Sequence, residues 1–231
     1  MKTLGMIGGI GPESTIDYYQ TIIALYRERK PDGSYPSMLI NSVAMNRLRN
    51  AFEAGDLGAI IDYVLPELQR LQRAGADFGL LAANTPHIVF DDLQRQSPIP
   101  LISIVSVTCE AAKVRGLRRV ALFGTRFTMT APLYPGVFSK DGITVVIPDP
   151  GDQDFIHDKY MNELVNGIFL PETRAGLLGI VDRMAERAGI DGVILGGTEL
   201  PLILREPAHN GIPFLNTTRI HCEAAVERMF S

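Results

Sequence analysis

Short apolar runs closed by turn-forming residues recur along the chain, at 3–7, 38–43, 78–82, 101–104, 120–123, 144–147, 193–195 and 214–215. Runs of this length bounded by Gly, Pro, Asn or Asp predict buried strands. Between them the apolar positions change to a helical period. Residues 14–29 start at Ser14, a natural cap, and place Ile16, Tyr19, Ile22, Ile23 and Tyr26 on one face. Residues 57–74 stop at Gly75, and Pro66 predicts a kink or a break inside them. Further helices are expected at 105–114, 155–167, 172–188 and 218–229. Strand and helix in alternation predict an α/β fold of parallel sheets flanked by helices. Right-handed crossovers then put the loops that follow the strands at one edge. Four such loops matter: 8–15, 83–87, 124–130 and 196–201.

The pattern also repeats. Arg-Ala-Gly-Ala-Asp at 73–77, with its following strand and Ala83-Asn84-Thr85, returns 114 residues later as Arg-Ala-Gly-Ile-Asp at 187–191, with its strand and Gly197-Thr198-Glu199. Residues 3–9 echo 119–125, and each of Cys109 and Cys222 is followed by Glu-Ala-Ala. Two similar halves predict a pseudo-two-fold arrangement with a ligand cleft where matching loops face each other.

Composition changes this picture only by exclusion. At 231 residues, 46% hydrophobic and 21% charged, the chain has the make-up of a folded globular protein. A net charge of −4 without a basic stripe leaves no electrostatic basis for nucleic-acid binding. The opening apolar run is broken by Gly and Pro too early for a signal peptide or a membrane span, so no membrane partner and a cytoplasmic location are expected. Two cysteines in matching helical positions predict buried packing rather than a disulfide scaffold.

The loops carry the chemistry. Residues 8–15 follow a strand and open a helix, but Ser14 stands where a dinucleotide fingerprint needs its third glycine, and no Walker lysine follows. What remains is a turn whose amides, around Gly9 and Ile10, can hold a carboxylate; it serves equally as a tight turn with no ligand. Asn84 and Thr85 offer an amide and a hydroxyl, and Thr198 and Glu199 a hydroxyl and a carboxylate, at matching strand ends. Either pair alone is an ordinary turn or helix cap. Their equivalence in the repeat points to a polar clamp. His87 and Glu199 can both move protons, and both also have structural roles, His87 on a backbone group and Glu199 on a ligand ammonium or a helix start. Glu13 and Asp92 read as helix-dipole and surface charges, and Arg47 and Arg126 as candidates for a distal carboxylate.

These motifs together, the Gly8–Thr15 loop, Ala83-Asn84-Thr85-Pro86-His87, the Gly-Thr-Arg-Phe-Thr-Met segment at 124–129 and the Gly-Thr-Glu-Leu-Pro-Leu segment at 197–202, resemble the aspartate/glutamate racemase family over nearly the whole chain. The resemblance implies two similar α/β domains about a pseudo-two-fold, with the C-terminal strand and helix returning to the first: residues 1–104 with 209–231, and 105–208. It implies an isomerase acting on a small acidic amino acid without cofactor or metal, and a homodimer. Substrate would be bound by Gly9, Ile10, Ala83, Asn84, Thr85, Gly197, Thr198 and Glu199. The family pattern places proton-transferring thiols at positions 83 and 197. Here those residues are Ala83 and Gly197, so His87 and Glu199 are the remaining candidates for proton transfer. A silent binding protein, or another isomerase or lyase for small carboxylates, stands as the alternative.

Overall fold

The computed structural model describes residues 1–52 and 54–231 in full and residue 53 by its backbone. It divides into two compact units, Met1–Ile104 with His221–Ser231, and Val105–Ile220.

Unit 1 contains β1 (Leu4–Gly8), α1 (Pro12–Arg29), β2 (Met38–Ser42), α2 (Met45–Ala54), α3 (Leu57–Arg73), β3 (Phe78–Leu81) and α4 (Phe90–Gln96). Its sheet runs β2-β1-β3, all parallel, with Leu4 opposite Met38 on one side and Phe78 on the other. Alternation along the strands divides the core in two. Leu4, Met6, Phe78, Leu80 and Ala82 pack with Tyr18, Ile22 and Tyr26 of α1, together with Cys222 and Val226, whereas Ile7, Leu81 and Ala83 pack with Ile60, Val64 and Leu68 of α3.

Unit 2 takes in α5 (Ile104–Val114), β4 (Arg119–Phe123), α6 (Arg126–Thr130), α7 (Leu133–Phe138), β5 (Thr144–Val146), α8 (Pro150–Asn162), α9 (Pro171–Ala188), β6 (Gly192–Leu195), α10 (Leu200–Ile203), β7 (Ala208–His209) and β8 (Ile212–Asn216), and then the first turn of α11 (Thr217–Phe230). The sheet order is β5-β4-β6-β8-β7, parallel except for β7. So β1 and β3 of unit 1 correspond to β4 and β6 here. The repeat has a structural cause in its aspartate. Asp77 accepts from the Thr3 amide at 2.6 Å, and Asp191 accepts from the Arg118 and Arg119 amides at 2.7 and 2.9 Å, so each ties the start of one strand to its neighbour.

Four sequence expectations change. The buried face of α1 is Ser14, Tyr18, Ile22, Leu25 and Tyr26, and Ile16 and Tyr19 are exposed; the face is rotated because the Ser14 hydroxyl, counted as polar, donates to Ala82 O at 3.0 Å inside the core. Of the kink or break expected at Pro66, the break does not occur: α3 runs on through it. The strand expected at 101–104 shrinks to a single bridge between Gly79 and Leu101, since Pro98 and Pro100 have no amide to extend a ladder and α5 begins at Ile104. Residues 209–220 stand in unit 2, because β8 pairs with β6; only the chain from His221 onward belongs with unit 1. Among the described residues no helix is long and apolar enough to cross a membrane.

Candidate functional site

In unit 1 the candidate residues lie at the ends of β1 and β3. Gly9 turns the chain at φ 78°, a left-handed conformation that side chains resist, and a Cβ there would sit 2.5 Å from Ser42 Oγ and 2.6 Å from Val43 O. Its own amide donates to Thr15 Oγ1 at 2.9 Å, and that hydroxyl donates to Gly11 O at 3.0 Å, so α1 locks the turn from within. The Ile10 and Gly11 amides have no acceptor among the described residues and stand immediately before the N-terminus of an 18-residue helix. Following β3, Ala83 (7% exposed) packs in the cluster with Ile7 and Ile10, and Asn84 is buried at the head of the tight turn Thr85–Val89.

His87 is held differently from a free base. Its Nε2 accepts from the Ile104 amide at 3.2 Å, which places the ring proton on Nδ1, and the ring stacks on Phe90. Burial is the main reason that its pKa falls to about 4, against smaller opposing effects of nearby backbone groups. A second buried imidazole, His221, stands edge-on to it with centroids 5.9 Å apart. Its Nε2 is 3.0 Å from Ile102 O and its Nδ1 2.9 Å from the Tyr18 hydroxyl, and burial followed by the neighbouring His87 lowers its pKa to about 3. The two rings therefore take up backbone groups of 102–104 where the strand expected there ends. Sequence reading missed His221 because it lies in a helical pattern, beside the repeated Cys222-Glu-Ala-Ala but far in sequence from the loops that carry the candidate residues.

In unit 2 the matching corner follows β6. Gly196, Gly197, Thr198 and Glu199 are all buried, Glu199 to 2% exposure. The Thr198 hydroxyl donates to Glu199 Oε2 at 3.0 Å, and the Tyr160 hydroxyl of α8 donates to the same oxygen. Burial and then the charge of Glu199 hold the Tyr160 phenol well above its ordinary pKa, so it stays a neutral donor. A Cβ placed on Gly197 would lie 2.3 Å from Tyr160 Cε2 and 2.9 Å from Cζ. The space a side chain at 197 needs is taken by this ring. Tyr160 carried no signal in the sequence beyond its helical position; the bare Gly197 was the only hint that something else fills the corner.

The remaining candidates lie elsewhere in chemistry. Arg126 is exposed and pairs with Asp154 at 2.7 Å, Arg47 lies over the Tyr63 ring, Asp92 pairs with Arg95, and Glu13 sits in the first turn of α1. Thr125 caps α6 through Thr128 N at 3.2 Å. Both cysteines are buried, and burial pushes the Cys109 thiol up to about 11, so it stays protonated. No group of three or more metal-ligating side chains occurs among the described residues.

A family model described as Asp/Glu/Hydantoin racemase matches residues 7–225. The broad specificity amino-acid racemase RacX of Bacillus subtilis is 25% identical over 232 residues, covering 96% of each chain. An aspartate racemase homologue from Pyrococcus horikoshii is 33% identical and matches over the whole of both chains with a TM-score of 0.86. The aspartate racemase of Picrophilus torridus, 21% identical, has a TM-score of 0.82 over the whole of this chain and 95% of its own, a likeness of fold.

Proposed function

The chain belongs to the Asp/Glu/hydantoin racemase family, and from that premise we propose that it takes up a small acidic amino acid, of the aspartate or glutamate kind, and acts on its α-carbon without thiols. The observation that carries this reading is the pair of polar corners after β3 and β6, the same position of the repeat, with buried Asn84 and half-buried Thr85 in one and buried Thr198 and Glu199 in the other. The Ile10 and Gly11 amides are suited to a carboxylate, and the buried Glu199 carboxylate to an ammonium. Ala83 and Gly197, in the positions where the family pattern has thiols, cannot accept a proton. Of the two remaining candidates, His87 has its one accepting nitrogen used by Ile104, whereas Tyr160 and Thr198 use one oxygen of Glu199, so we assign proton transfer to Glu199 through its second oxygen. A homodimer in the cytoplasm is part of this reading.

A second reading, a protein that binds the same ligand without turnover, is favoured by one observation: the Tyr160 ring fills the place of a side chain at 197. The two separate in heavy water. Incubation with D- and L-aspartate and glutamate, followed by proton NMR of the Cα signal, should show loss of that signal. Unchanged Cα signals for all four, with binding intact, would leave the binding protein as the function.

A further inference from the structure

Gly197 and Tyr160 have to be read together. A glycine at a thiol position looks like a simple deletion, yet the volume is not empty, since the phenol ring from α8 lies within 3.0 Å of the missing Cβ at three atoms. Real Cβ atoms do not tolerate such distances, and the ring is not free to withdraw: Tyr160 is 6% exposed, and its hydroxyl is bound to Glu199 Oε2. The Thr198 hydroxyl and the Glu199 amide also lie against the phenol oxygen. The Tyr160 side chain thus excludes a side chain at 197 and fixes the carboxylate two positions further on.

We propose that Tyr160 is the positioning residue of the unit 2 corner: its ring takes the place of a side chain at 197, and its hydroxyl holds the Glu199 carboxylate as the group offered to the ammonium of the ligand. The ammonium part rests on the function proposed above; the steric part does not. The corner is thereby specialised for amino acids over dicarboxylates of the same length, because only the former bring a cation to Glu199.

Two arms test this. In the first, wild type and Tyr160→Phe are titrated calorimetrically with aspartate and with succinate, which has both carboxylates and no ammonium. Y160F keeps the ring and loses the donor, so aspartate affinity should fall about tenfold while succinate affinity holds, as expected for loss of a hydrogen bond to a charged group. A merely structural role would move both ligands alike, and equal changes, or no change, would overturn the positioning role. The second arm needs no ligand. Gly197→Cys should lower the melting temperature in wild type and cost nothing further on a Tyr160→Ala background; an equal loss in both would overturn the shared volume. Should Y160A fail to fold, nuclear Overhauser contacts in the wild type between the Tyr160 ring protons and Gly197 Hα decide the same point, and their absence contradicts it. If wild type binds neither aspartate nor succinate, the functional reading fails, while the second arm still reports on Tyr160.

Discussion

At the scale of single residues, the absence of a side chain does different work at different glycines. Gly197 makes room for the Tyr160 ring, whereas Gly9 combines a left-handed backbone with close approach to Ser42 and Val43. Gly33 provides the comparison, with φ 83° and nothing within 4 Å of a Cβ. Gly33→Ala should therefore cost only the backbone strain, about 1 kcal/mol, and Gly9→Ala clearly more, because Ser42 Oγ and the Val43 backbone must also move. Urea midpoints of the two variants check this, and equal losses would mean that the turn yields without cost. The strand-to-helix turn at Gly9 was legible in the sequence because Gly-Gly-Ile-Gly-Pro punctuates it. Tyr160 was not, since its role depends on a contact between residues far apart in sequence and on the shape of a residue that has no side chain.

At the scale of elements, the hydrophobic pattern located most strands and long helices because each has to bury a stripe or a face. It failed where polar groups are buried. Ser14 turned the packed face of α1 by bonding to Ala82 O, and the proline-limited strand at 101–104 gave way to a segment held by His87 and His221. These buried imidazoles make unit 1 sensitive to acid. In the unfolded chain each titrates near 6.5, and in the folded one at about 4 and about 3, so as pH falls the unfolded chain binds protons first. Their contribution to stability is complete above about pH 6.5 and is lost between there and the folded values, amounting to about 3 kcal/mol for His87 alone. Urea midpoints should fall from pH 6.5 to 5, and His87→Gln should flatten part of that fall. A midpoint that is level over this window would show that the rings are protonated or exposed in solution.

At the scale of the whole chain, the repeat gave the clearest reading. Asp77 and Asp191 grip the starts of neighbouring strands in the same way, and the polar corners follow β3 and β6, which neighbour β1 and β4 in their sheets. The domain division was less legible at the C-terminus: the short run at 214–215 does not reveal its neighbour, and pairing with β6 keeps it in unit 2. The central claim is that these corners, without thiols, recognise a small acidic amino acid. Calorimetric titration of the wild-type protein with aspartate and with leucine tests it most directly. Aspartate brings a second carboxylate that the donors of Asn84 and Thr85 can engage beside the Ile10 and Gly11 amides, and leucine brings only one, a difference of about 1–3 kcal/mol, so aspartate should bind at least about tenfold more tightly than leucine. Leucine binding as tightly as aspartate, or more tightly, would contradict the account.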